Sequence, residues 1–142
     1  MTQKAITIQT TVNAPVEKVW KYWNQPEHIT KWAFASDDWH APKAENDLRV
    51  DGTFSTTMAA KDGSFSFDFG GVYTKVENHK IIEYTIGDGR KVKVEFVAEG
   101  NQTKVVETFE LESQNPEEMQ RGGWQAILDS FARHVTASRA SA

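Results

Sequence analysis

Between Leu48 and Leu111 apolar residues return at every second position with few breaks, and a single helical stripe follows. Phe54, Thr56 and Met58 form one such row, Phe65, Phe67 and Phe69 a second, Ile82, Tyr84 and Ile86 a third. Val92, Val94 and Phe96 continue the pattern, and Val105, Glu107, Phe109 and Leu111 complete it. A period of two places alternate side chains on opposite faces of a strand. Asp51-Gly52, Lys61-Asp62-Gly63, Gly87-Asp88-Gly89 and Gly100-Asn101 separate the rows. Connections this short join antiparallel neighbours, because a parallel crossover needs a dozen residues or more. The intervening positions, such as Lys91, Lys93 and Glu95, are charged, so one face of the sheet is covered and the other is wet.

The cover is predicted to be the last helix, over about Pro116 to Thr136. Trp124, Ile127, Leu128, Phe131 and Val135 share one helical face. Asn115 is the expected N-cap, Pro116 the first helical residue, and Glu118 the third. Gly122-Gly123 costs this helix about 1 kcal/mol per glycine relative to alanine, which predicts close packing against a strand there. Gly70-Gly71 likewise predicts a bulge or a close backbone approach.

Upstream, Ala5–Val12 alternates as a strand. Asn13 and Pro15 then open a helix carrying Val16, Val19, Trp20 and Trp23 on one face. Asn24 to Pro26 breaks it, a second short helix carries Ile29 and Trp32, and residues 33–47 read as irregular. The predicted class is α+β: a strand, two short helices, about six antiparallel strands and one long helix. A chain of 142 residues buries roughly 70% of its unfolded surface, enough for one domain over 1–142, with a flexible tail from about residue 137. With no cysteine, disulfides, cysteine-ligated zinc and a cysteine nucleophile are excluded. The opening MTQKAITIQT has no apolar signal stretch and no run is long enough to span a bilayer, so a cytoplasmic protein without stable membrane insertion is expected. The net charge of −4 argues against nucleic acid as a partner.

Several segments together resemble the START-like (SRPBCC) superfamily, in the branch named after the activator of heat-shock-protein-90 ATPase. They are Asn13-Ala14-Pro15-Val16-Glu17-Lys18-Val19-Trp20, Lys31-Trp32, Asp51-Gly52-Thr53-Phe54, Phe69-Gly70-Gly71-Val72-Tyr73, Ile82-Glu83-Tyr84-Thr85 and Gly123-Trp124-Gln125-Ala126-Ile127-Leu128. Each is packing or turn chemistry; their order and spacing carry the resemblance, which covers nearly the whole chain. It implies a helix-grip fold, a curved antiparallel sheet of six to seven strands wrapped on the C-terminal helix around an apolar cavity. Members bind lipids, sterols, polyketides and plant hormones, and some are cyclases or aromatase-like enzymes. The eukaryotic co-chaperone carries a further N-terminal domain absent here, so its role does not transfer. The loop from Ala33 to Asp47 lacks the Trp-Gly-Pro sequence often found after the second helix, which puts the shape of the cavity mouth in question.

Five Trp, eight Phe and three Tyr are more ring surface than a small core usually needs. Phe54, Met58, Phe65, Phe67, Phe69, Tyr84, Phe96 and Phe109 fall on inward rows, facing Trp124, Leu128 and Phe131. Any one of them alone reads as ordinary core; as a set under a curved sheet they read as a cavity wall. With Trp32 and Trp39 they make up the expected ligand-binding residues. Glu107 joins that set, because its row turns the carboxylate inward. There it is either a ligand anchor or acid–base group, or a structural acid at a sheet end. Asp37, Asp38 and His40 match no metal-ligand spacing. No nucleophile elbow or phosphate-binding loop is visible, and no catalytic residue, cofactor or metal is expected. The leading reading is a binding protein for a small hydrophobic molecule, lipid-like or aromatic polyketide-like, acting as a monomer or weak homodimer. The alternatives are a cyclase, dehydratase or hydrolase using a cavity carboxylate, and a co-chaperone-like protein-interaction module.

Overall fold

Seven strands in the order β1-β7-β6-β5-β4-β3-β2 form one antiparallel sheet. They are β1 (Ala5–Val12), β2 (Trp39–Asn46), β3 (Thr53–Ala60), β4 (Ser66–Glu77), β5 (Ile81–Ile86), β6 (Lys91–Glu99) and β7 (Gln102–Glu110). The helices are α1 (Val16–Asn24), α2 (Pro26–Trp32) and α3 (Glu117–Ala137). The computed structural model describes residues 4–137, so the expected tail beyond Ala137 lies outside the described residues. The sheet curls as a half-barrel around α3, and α1 and α2 follow the first strand, as the helix-grip expectation required.

The registers put the alternating rows where the sequence pattern predicts. Ile8 pairs with Glu107 and Val94 pairs with Glu107 from the other side, so one row crosses β1, β7 and β6. Val94, Val105, Phe109, Leu128, Phe131 and Val135 are fully buried where α3 meets that row. α1 and α2 pack at one end, where the Trp32 indole N–H donates to the Tyr22 carbonyl at 3.0 Å. Asn46 Nδ2 donates to the Asn24 carbonyl and Tyr73 Oη donates to Asn46 Oδ1. This chain of bonds ties the α1–α2 junction to β2 and β4.

Three local expectations are corrected. Residues 33–47 are not irregular throughout: β2 forms the sheet edge there, with a register shift between His40 and Lys43. That shift, with Pro42 and charged neighbours, destroys the alternation that would have revealed a strand. A Cβ on Gly122 or Gly123 would meet nothing within 4 Å, so no close packing against a strand requires glycine there. Asn115 does not turn its amide to the helix; Nδ2 donates to Glu112 Oε2 at 2.9 Å, and α3 starts at Glu117. At Gly70 and Gly71 the close approach is real: a Cβ would stand 2.4 Å from the Phe54 and Thr85 carbonyl oxygens respectively. The bulge itself falls later, between Tyr73 and Lys75.

Candidate functional site

Between the concave face of the sheet, α3 and the α1–α2 end lies a cavity of about 290 Å³. Half of its lining residues are aromatic. Phe54, Phe67, Phe69, Tyr73 and Tyr84 come from the sheet, Trp23 and Trp32 from the short helices, and Trp124 from α3. Met58, Ile29, Ala33, Ile127 and Leu128 add aliphatic wall. Trp124 lies flat on Phe109, with ring centroids 4.2 Å apart and planes 5° from parallel, and meets Phe69 edge-on at 5.9 Å. Phe109 and Phe69 belong to strands separated by two others, so one indole closes the curl of the sheet.

Of the side chains expected at a binding site, the structure gathers Trp32, Phe54, Met58, Phe67, Phe69, Tyr84, Glu107, Trp124 and Leu128 around this cavity. It places the others elsewhere. Phe96 and Phe131 are buried in packing behind the wall, where both meet Trp23 edge-on. Phe109 is buried beneath Trp124. Trp39 and Phe65 do not line the cavity; they form a cluster of three rings about 6 Å apart with Phe67, which lines it yet stays partly exposed. Phe65 is 59% exposed and Phe67 42% exposed. Phe65 precedes the start of β4 at Ser66, and its ring is exposed although its row was expected to face inward.

The polar groups on the wall are few. Thr56, Tyr73, Tyr84, Arg90 and Glu107 line it. Glu107 is 5% exposed, and burial alone pushes its carboxyl up to about 8, which keeps the group neutral at pH 7. Tyr84 is buried beside it, raised above an ordinary phenol first by desolvation and then by the Glu107 charge. Tyr73 is raised by desolvation, and its hydroxyl is already engaged by Asn46. Arg90 had no sequence signal, since it follows the Gly87-Asp88-Gly89 turn. Its guanidinium is held by Asp88 Oδ2 at 2.8 Å and reaches the Glu110 carbonyl at 3.4 Å. Asp37, Asp38 and His40 do not reach the cavity wall. Among the described residues no group of three or more potential metal ligands converges, and no helix is long and apolar enough to cross a membrane.

An AHSA1-like protein from Aeromonas hydrophila is 43% identical and superimposes with a TM-score of 0.90, covering 95% of this chain and 94% of its own. A protein from Cytophaga hutchinsonii is 59% identical with a TM-score of 0.80, over 94% of this chain and 92% of its own. A protein from Nitrosomonas europaea, at 19% identity and a TM-score of 0.82 over 96% of both chains, shares the fold alone. No curated protein matches significantly. The family described as activator of Hsp90 ATPase homolog 1-like protein matches residues 13–136. With this span and this fold, the START-like resemblance holds, and the chain belongs to the activator of Hsp90 ATPase homolog 1-like family.

Proposed function

We propose that the protein binds a small, flat, largely apolar molecule in the cavity between sheet and α3, and carries, sequesters or senses it. The observation that carries this reading is the wall itself: a partly open cavity of about 290 Å³ with half its lining aromatic. Apolar enclosure with a few placed polar groups is the general form of a small-molecule site. At the packing density of protein interiors, such a space takes a ligand of about 15 non-hydrogen atoms. Two or three fused rings fit that size, and a whole membrane lipid does not.

The enzymatic alternative would draw on Glu107, whose carboxyl, raised to about 8, suits a general acid or base near neutral pH. The remaining polar wall groups are two phenols, a hydroxyl and a guanidinium, and two of them are already engaged, Tyr73 by Asn46 and Arg90 by Asp88. The largely apolar wall therefore favours binding as the leading reading. Native mass spectrometry of protein purified from its own cells tests the proposal. Retention of a compound of one to three rings supports it, and retention of a phospholipid or acyl chain counts against the ligand class.

A further inference from the structure

Tyr84 and Glu107 are both buried, at 6% and 5% exposure, and both line the cavity. Neither side chain makes a hydrogen bond to another described residue, although buried polar groups are ordinarily paired. Neither is sealed: the described buried atom with no partner is Asn24 Oδ1, far from this pair in sequence and role. The two oxygen-bearing groups therefore open onto the cavity. They come from β5 and β7, on either side of β6, where Tyr84 pairs with Val92 and Val94 pairs with Glu107. The other polar wall groups differ, since Tyr73 is bonded to Asn46 and Arg90 to Asp88 and Glu110.

We propose that Tyr84 and Glu107 form a two-donor site for one ligand oxygen, the carbonyl of an aromatic ketone, with both O–H groups pointing at it. This deepens the cavity reading and rests on it. Burial keeps the carboxyl protonated through neutral pH and keeps the phenol protonated well beyond it, so both groups enter as donors. An acceptor placed within reach of both uses the two O–H groups at once, and no described side chain supplies one to either group. A carbonyl supplies that acceptor without bringing a charge into an apolar space, where an ionised ligand group would be costly. Phe54, Phe69 and Trp124 offer faces and edges for the aryl body of the same molecule.

The test compares acetylnaphthalene with isopropenylnaphthalene, which replaces the carbonyl oxygen by a methylene and keeps the shape. Calorimetric titration of the full chain should give binding of both, with the ketone tighter by about tenfold. In Tyr84→Phe and Glu107→Met the preference should shrink toward parity. The ratio is taken within each variant, so a general loosening of the cavity cancels. In wild type, the carbonyl carbon of the bound ketone should resonate near its position in water, not its position in a hydrocarbon. Binding of both probes with equal affinity, or a hydrocarbon-like carbonyl resonance, overturns the donor pair and leaves the cavity reading standing. Binding of neither overturns both.

Discussion

Trp124 on α3 stacks face to face on Phe109 of β7 at 4.2 Å and meets Phe69 of β4 edge-on. Phe109 is fully buried and Trp124 also lines the cavity, so one indole joins the core to the cavity wall. Helix position, sheet curl and cavity wall are therefore set by the same ring.

Trp124→Ala should lower stability by about 3 kcal/mol, near the lower end for aromatic truncation because the indole is only half-buried. Phe65→Ala, at a ring 59% exposed, should cost much less, under about 1 kcal/mol. Urea denaturation of the two variants checks the contrast. Equal losses would mean that Trp124 does not brace the fold.

Two glycine positions should respond in opposite directions. Gly71→Ala puts a methyl 2.4 Å from the Thr85 carbonyl oxygen, and forcing β4 away from β5 should cost about 2 kcal/mol. Gly123→Ala meets nothing within 4 Å and lies inside α3, so it should gain about 0.5–1 kcal/mol from helix propensity. Thermal melts of the two variants should therefore move to opposite sides of wild type.

Glu107 makes stability depend on pH with a defined sign. Its carboxyl is raised from 4.5 to about 8 in the folded protein, so over that interval the folded state holds a proton that the unfolded state has lost. Stability is unaffected below pH 4.5 and declines as pH rises toward 8. Glu107→Gln keeps the shape and removes the proton equilibrium. The stability of the variant relative to wild type should grow from pH 5 to pH 8.5, as measured by chemical denaturation across that range. A constant difference would place the carboxylate in contact with water.

His28 Nδ1 and His134 Nε2 stand 3.1 Å apart, with Tyr22 stacked on His28 at 3.8 Å. The bond needs a neutral acceptor nitrogen, and both imidazoles are held below 6.5, first by desolvation. A lowered folded value means that the unfolded chain takes up protons first. This contribution is fully present above pH 6.5 and is lost as pH falls below it, opposite in sign to that of Glu107. His134→Gln should flatten the acid side of the stability profile between pH 5 and 6.5. NMR titration of the wild-type imidazoles should give both values below 6.5.

Legibility in the sequence followed geometry. The rows from Ile82 to Phe109 were readable because β5, β6 and β7 each bury one face, and a period of two reports that face directly. β2 was not, because its burial shifts phase across the irregularity between His40 and Lys43. Alternation put Phe65 and Phe67 on one inward row, yet it carries no information about where β4 begins, which is at Ser66, or how exposed its first residues are. The inward aim of Glu107 was readable from Val105 and Phe109. Its proximity to Tyr84 was not, since that depends on the registers of β6 against both β5 and β7. Arg90 reaches the wall from a turn, where no periodicity exists to place it.

The central claim, an aromatic cavity open to a flat apolar ligand, is tested most directly by following the aromatic side-chain resonances while naphthalene is added. Saturable shifts that move together at Phe54, Phe69, Tyr84 and Trp124, at one common affinity, are the predicted result. Shifts confined to Trp39 and Phe65 on the outer surface, or none up to the solubility limit of naphthalene, would contradict it.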